Sequence, residues 1–201
     1  MPRSSSSAIT PRVYPVGRSI DCESLSAALT IRHAVPADTG TIAAIYNEGI
    51  EEREATFETR LRSPEEILGW LDGPFPVLVA ALNGAVVGFA RIGPYSERDV
   101  YARIGEHAVY VSAAARRHGA GRALLEALAE AAAEAGFYKL TSRIFTTNEA
   151  SIRLHQAAGF AIVGVQRRHG RLDGAWRDCV LVERLLGEAA DSANGAGPAG
   201  P

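Results

Sequence analysis

The chain of 201 residues carries a formal net charge of −2, with 22% charged and 47% hydrophobic residues. One domain with a substantial core fits that length, and the near-neutral balance, with no basic stripe on any predicted helix, argues against nucleic acid or an anionic membrane as partner. No run approaches the roughly 18 apolar residues of a membrane span, residues 1–8 lack the apolar segment of a secretory signal, and Cys22 and Cys179 make neither a disulfide framework nor a metal cluster, so a cytoplasmic protein with no metal is expected.

Residues 1–29, with serine at positions 4 to 7 and Pro2, Pro11 and Pro15 interspersed, read as a flexible leader. Residues 187–201, rich in Ala, Gly and Pro, read as a disordered tail, which leaves residues 30–186 as the folded domain. There, residues 30–34 form a strand, and Pro36-Ala37-Asp38 is a turn in which Asp38 caps a helix covering residues 42–46. Ser63 as N-cap, with Pro64 after it, opens a second helix. Residues 75–82 and 85–92 flank Asn83-Gly84, a strong hairpin signal. Residues 103–111 form a strand with Glu106, Ala108 and Tyr110 on one face and His107, Val109 and Val111 on the other. A long helix follows, with Leu124, Leu125, Leu128 and Ala132 as its apolar stripe and Gly136 as its stop. Residues 139–145 are a strand, residues 148–158 a helix ended by Gly159, and residues 164–169 and 176–184 a hairpin across Asp173-Gly174. The order β-α-α-β-β-β-α-β-α-β-β describes an α+β domain around one mixed sheet.

The most informative segment is the strand-to-helix turn Arg116-Arg117-His118-Gly119-Ala120-Gly121. The first N–H groups of a helix have no intrahelical acceptor and sit at the positive end of its dipole. Glycines at positions 119 and 121 remove Cβ atoms that would hold a ligand off this backbone. The turn therefore suits a phosphate or pyrophosphate, the plainer alternative being a tight connection that binds nothing. It is not a Walker loop, because no Gly-Lys-Ser/Thr follows, and it lacks the third glycine of a dinucleotide fingerprint.

Val109-Tyr110-Val111 followed by Arg116-x-x-Gly119-x-Gly121 resembles motif A of the GNAT acetyltransferases. Asn148-x-x-Ser151-x-x-x-His155-x-x-x-Gly159-Phe160 is similar to the second acetyl-CoA motif of that superfamily. The resemblance covers nearly all of residues 30–186. It implies a central mixed sheet of about seven strands, flanked by about four helices and splayed for acetyl-CoA. It also implies that the backbone of Arg116, Arg117, His118, Gly119, Ala120, Gly121 and Arg122 grips the cosubstrate pyrophosphate. Asn148 and Ser151 would then contact the pantetheine arm, with Val109, Tyr110 and Val111 lining the splayed strands.

A narrower resemblance is to the phosphinothricin and arsinothricin N-acetyltransferases. It is carried by Ile45-Tyr46-Asn47-Glu48, Ala55-Thr56-Phe57, Gly93-Pro94-Tyr95-x-x-Arg98-x-x-Tyr101, Gly105-Glu106-His107-Ala108, and Gly174-x-Trp176-x-Asp178. His155, where most GNAT enzymes have Tyr, belongs to the same set, and Arg143-Ile144-Phe145 with Arg171-Leu172-Asp173-Gly174 tilts it toward the arsinothricin branch. The resemblance implies a homodimer that acetylates the α-amine of a small oxyanion-bearing amino acid, in a detoxification or resistance role. Phe57, Tyr95, Arg98, Tyr101 and Tyr110 are then the expected substrate contacts. Two residues depart from the pattern. Ser96 stands where the phosphinothricin enzymes have Lys, unless Arg91 or Arg103 substitutes for that cation, and Ala108 stands where they have Thr.

An ammonium has no lone pair, so acetyl transfer needs a base. Glu106 is the candidate, partly desolvated beside the thioester, with a rim salt bridge as its plainer alternative. His155 either protonates the departing thiolate or packs inside its helix. The N–H of Tyr110 is expected to polarise the thioester carbonyl. Cys179, in an apolar strand with no neighbouring His, is not expected to carry an acyl group. Methionine sulfoximine or sulfone, a polyamine, an aminoglycoside and a protein N-terminus remain alternative acceptors, although a loop rich in Arg speaks against polyamines. A non-catalytic acyl-CoA sensor is the alternative outside enzymes.

Overall fold

The computed structural model describes residues 13–14 and 28–195. Eight strands form one sheet: β1 (Val13–Tyr14), β2 (Leu29–His33), β3 (Val77–Leu82), β4 (Ala85–Pro94), β5 (Ile104–Val111), β6 (Lys139–Phe145), β7 (Ala161–Leu172) and β8 (Ala175–Leu185). Their order is β1-β2-β3-β4-β5-β6-β8-β7. Every pairing is antiparallel except β5 with β6. Without the two-residue β1, this is the seven-stranded mixed sheet expected from the sequence.

The helices are α1 (Thr39–Glu51), α2 (Pro64–Leu71), α3 (Ala120–Glu134), α4 (Glu149–Ala157) and α5 (Glu188–Gly195). β3 explains why the sheet needs helices on both faces. Leu78 and Ala80 join the core under α3, with Leu124, Leu125 and Leu128, while Val79 packs with Ile42, Ile45 and Ile67 of α1 and α2. A strand covered on both sides reads as a continuous apolar run, and Val77–Leu82 is one. Local punctuation sets the element ends. Ser63 accepts from Glu66 N while Ser63 N donates to Glu66 Oε2, a reciprocal cap with Pro64 in the first turn. Asn83 and Gly84 both have positive φ, 51° and 84°, as a two-residue hairpin between right-twisted strands requires.

Three expectations are corrected. The leader is not wholly unstructured, because β1 pairs Val13 with Arg32 and Tyr14 with Ile31; residues 1–12 and 15–27 lie outside the described residues. The tail expected to be disordered from residue 187 carries α5, where Ala189, Ala190 and Ala193 supply the strongest helix propensity. The Asp38 side chain does not cap α1. It accepts from Arg32 at 2.6 and 2.9 Å and from Val35 N at 2.8 Å, because Pro36–Asp38 forms a 3-10 turn that leaves Asp38 itself helical, at φ −84° and ψ −14°. Among the described residues, no helix is long and apolar enough to cross a membrane.

Candidate active site

The site arises where two parallel strands stop pairing. β5 and β6 are in register at Ile104 with Lys139, Gly105 with Leu140 and Glu106 with Thr141, and there the ladder ends, although β5 runs on to Val111 and β6 to Phe145. β5 stays bonded to β4 throughout, up to Gly88 with Val111. The parting strands leave a wedge, which opens into a cleft of about 1580 Å³. Phe57, Glu106, Val109, Tyr110, Val111, Asn148, Ser151, His155 and every residue from Arg116 to Arg122 line this one cleft.

Ser112 N donates to Val87 O, and Tyr138 N donates to Arg103 O. Since backbone groups alternate sides along a strand, the N–H of Tyr110 is turned to β4, and that of Val109 faces the wedge. The Tyr110 N–H expected to polarise the thioester therefore points away from the wedge, and the N–H that faces it is that of Val109, a difference that depends on register and is invisible in the motif. The Tyr110 ring instead stacks on Phe89 at 5.3 Å and meets Tyr46 at 4.9 Å. Burial, with Tyr46 beside it, pushes the Tyr110 phenol well above its ordinary range, so it stays protonated.

At the far end of the wedge, α3 begins on Gly119, left-handed at φ 82°, preceded by Arg117 at φ 67°. The first intrahelical bond runs from Ala123 N to Gly119 O, and no side chain caps the helix. The amides of Ala120, Gly121 and Arg122 thus lack helical acceptors. Nothing lies within 4 Å of a Cβ built on Gly119. This open, uncapped terminus at the mouth of a strand wedge fits an acyl-CoA, with pyrophosphate at the turn and its pantetheine arm between β5 and β6. Arg116 anchors the turn: it forks onto Glu52 at 2.6 and 2.8 Å and donates to Val111 O at 3.2 Å. His118 Nδ1 bonds Arg116 O at 3.0 Å, and Arg122 pairs with Glu126. Gly119→Ala has steric room, so its expected cost is the left-handed backbone alone, about 1–2 kcal/mol. Urea unfolding measures that loss, and acetyl-CoA titration should show weaker binding as the turn relaxes. A variant as stable as the parent would show that the turn is not held at this φ.

Asn148 caps α4, its Oδ1 accepting from Ser151 N at 3.0 Å, and its amide donates to Glu54 O at 3.1 Å. Phe57 serves two ends. It meets Phe145 edge-on at 4.7 Å over the cluster of Leu172 and Cys179, and it walls the cleft.

Glu106 sits on the last paired residue before the wedge, half-exposed. Its Oε1 accepts from Arg143 at 2.6 Å, and Arg143 also donates to Gln166 at 3.2 Å. The carboxylate therefore makes the salt bridge that was the plainer expectation for it, at a half-exposed position beside the wedge. Among the described residues Oε2 has no hydrogen-bond partner. Arg143 is the partner that sequence reasoning missed, because its nearness depends on the parallel register. Glu106 opposes Thr141, and Arg143 lies two residues further along the same face.

His155 is 2% exposed, as is His107, and their Nε2 atoms are 3.0 Å apart. His155 Nδ1 lies 2.7 Å from Ser151 O, and a carbonyl only accepts, so Nδ1 carries the proton and Nε2 is the acceptor. The proton between the rings then belongs to His107 Nε2. Both nitrogens of His155 are committed inside the fold, which corrects the expected acid role: His155 is a packed structural histidine. Burial pushes His107 down to about 3, with the facing His155 adding to the shift and the Thr141 backbone opposing it in part. Burial likewise lowers His155, against the Ser151 carbonyl.

Tyr95, Arg98 and Tyr101 do not join this cleft. Tyr95 and Tyr101 meet edge-on at 5.8 Å around a separate cavity of about 450 Å³, shared with Phe75, Arg103 and Phe137. Arg98 is exposed and lies over Tyr101, 5.4 Å from its ring. The expected substrate contacts are thus not made within the described chain: none of the three lines the cleft that holds Glu106. Among the described residues, no group of His, Cys, Asp and Glu is placed to hold a metal ion.

Residues 42–160 match the profile of the acetyltransferase (GNAT) family. The chain is 34% identical over 166 residues to the L-methionine sulfoximine/L-methionine sulfone acetyltransferase of Salmonella typhimurium, covering 81% of this chain and 97% of that protein. It is 34% identical over 168 residues to the phosphinothricin N-acetyltransferase of Streptomyces coelicolor, covering 80% and 98%. An acetyltransferase of Salmonella typhimurium solved with acetyl-CoA superposes with a TM-score of 0.76 at 34% identity, over 80% of this chain and 95% of that one. The phosphinothricin acetyltransferase of Sinorhizobium meliloti, solved with the same cofactor, gives 0.75 at 32% identity, over 83% and 92%. The chain belongs to the GNAT acetyltransferase family and is an acetyl-CoA-dependent N-acetyltransferase.

Proposed function

We propose that this enzyme acetylates the α-amine of a small amino acid bearing a second oxyanion, of the arsinothricin or phosphinothricin type, with Glu106 as the base. The observation that carries this reading is the position of Glu106 at the point where β5 and β6 part, in the same cleft as the uncapped α3 terminus. Acetyl-CoA supplies the acetyl group: the neutral amine forms the C–N bond at the thioester carbon, and the C–S bond breaks. CoA leaves as the thiolate, and the second nitrogen proton passes to that thiolate or to water. Glu106 Oε2 takes the proton of the acceptor ammonium, giving the neutral amine. Oε1 stays on Arg143, which fixes the carboxylate while it is protonated. The Val109 N–H faces the wedge as a donor for the acyl oxygen. The named relatives act on phosphinothricin and on methionine sulfoximine or sulfone, which are amino acids with such an oxyanion or its isostere. A resistance or detoxification role follows from that acceptor class.

A panel of acceptors tests this reading, with CoA release followed for phosphinothricin, arsinothricin, methionine sulfoximine, spermidine and an Ala-start peptide. Turnover confined to the amino acids is expected. Turnover of spermidine or the peptide alone would overturn the acceptor class, and acetyl-CoA binding with no turnover at all would leave a sensor. We also infer a cytoplasmic homodimer. The edge strand β7 leaves Ile162, Val163 and Val165 about half exposed, at 46%, 53% and 56%, and a second copy would cover them. Light scattering should return twice the chain mass.

A further inference from the structure

We propose that Arg91 receives the α-carboxylate of the acceptor, which makes it a specificity-determining residue of this site. The inference rests on the amino-acid reading above. Arg91 lies on β4 opposite Ala108, and Gly93, two residues on, lies opposite Glu106. Directly opposed residues of an antiparallel pair share a face, so Arg91 and Glu106 project from the same side of the sheet. Both line the cleft.

The Arg91 side chain leans toward Glu106. Its Nη2 would be 3.1 Å from a Cβ on Gly93, and the Glu106 backbone O would be 3.9 Å from the same point. Any side chain at position 93 would therefore stand against the guanidinium. The guanidinium lies over Trp70, 4.0 Å from the ring centroid, so its plane is fixed from behind by a cation–π contact.

Charge bookkeeping singles Arg91 out. Of the other arginines lining the cleft, Arg60, Arg116, Arg122 and Arg143 each hold a carboxylate, and Arg117 belongs to the α3 turn at the far end of the wedge from Glu106. Among the described residues Arg91 has no carboxylate partner. Burial pulls its pKa below the ordinary arginine range, partly offset by Tyr46 and Tyr110. A desolvated, stacked and unpaired guanidinium favours an incoming anion of planar, bidentate shape, and a carboxylate has that shape. An α-amino acid with its ammonium on Glu106 places its carboxylate one bond away from the Cα, on the side toward Gly93 and Arg91.

The test compares each amino acid with its own α-carboxamide, using phosphinothricin and methionine sulfone. The parent enzyme should prefer the acid. Arg91→Gln should raise KM for the acid by about 10- to 100-fold and remove most of the preference over the amide, while acetyl-CoA affinity stays unchanged. Arg91→Lys, which keeps the charge and loses the fork, should restore part of it. Turnover of the acids with an acid-to-amide preference that survives Arg91→Gln would overturn the Arg91 assignment alone. A parent enzyme that prefers amines lacking a carboxylate would overturn both the acceptor class and this assignment. Should no acceptor turn over, calorimetry of methionine sulfone against the protein with CoA still reads Arg91: binding that is equal in parent and variant, or absent in both, overturns the assignment.

Discussion

Replacing Glu106 with glutamine is expected to lower kcat by about 100- to 10,000-fold, the usual contribution of a positioned general base. The affinity for acetyl-CoA should hardly change, because Glu106 stands at the closed end of the wedge and the uncapped α3 terminus at the other. Magnitude separates this role from the plainer one. The Glu106–Arg143 pair is half-exposed, with side chains 41% and 28% accessible. Such pairs contribute about 0–1 kcal/mol to stability. A rim salt bridge lost to glutamine would thus shift the unfolding midpoint slightly and leave kcat within a few-fold of the parent. Stopped assays at saturating acetyl-CoA decide the matter. A kcat retained at neutral pH, with the acidic limb of its pH profile intact, would remove Glu106 from the base role.

The sequence made the punctuation of this fold legible, because punctuation is local. Ser63 with Glu66, Asn83 with Gly84 and the left-handed Gly136 and Gly159 act within a few residues of themselves, and the structure uses each where it was expected. β6 spans Lys139–Phe145, the bounds expected of it. α5 and β1 were missed for opposite reasons. The tail was judged on overall composition, although its alanines favour helix, and β1 exists only through pairing with β2.

Within the site, the lining of the cleft followed from the two glycine-bearing motifs. What the residues do there depended on partners remote in sequence. Glu106 meets Arg143, 37 positions away, and His155 meets His107, 48 positions away. Neither contact is visible until the register of β5 against β6 and the seat of α4 are known. Tyr95, Arg98 and Tyr101 show the converse: a loop that matched in sequence does not line the cleft of its own chain. Arg91 was legible as one of two candidate cations, with Arg103, and its lack of a carboxylate became informative once its neighbours were placed.

Stability should fall as pH drops from 7 to 5, and the buried histidine pair should be the main cause. Both rings are neutral in the fold, and their only resolved electrostatic neighbours are each other and the backbone of Ser151 and Thr141. The unfolded chain binds a proton at each ring near pH 6.5. The native pKa values are lowered, to about 3 for His107, so unfolding takes up protons throughout this window. Stability then rises with pH: the contribution is complete above 6.5 and is lost on acidification toward the native values. His107, with its native value at about 3, alone accounts for about 2 kcal/mol between pH 7 and pH 5, and the lowered value of His155 adds in the same direction. The depressed carboxyls of Asp38 and Glu66 act mostly below this range, because their unfolded values are near 4. Urea unfolding at the two pH values measures the difference. His107→Phe keeps an aromatic ring beside Phe160, 4.7 Å away in the parent, and removes one proton site. It also deprives His155 Nε2 of its donor, at a cost of about 1–3 kcal/mol. The variant should therefore be weaker than the parent at pH 7, yet lose less on moving to pH 5, by about the 2 kcal/mol that His107 contributes. Equal losses in parent and variant would show that the pair does not govern acid sensitivity, and a parent equally stable at both values would show that the rings are not held neutral.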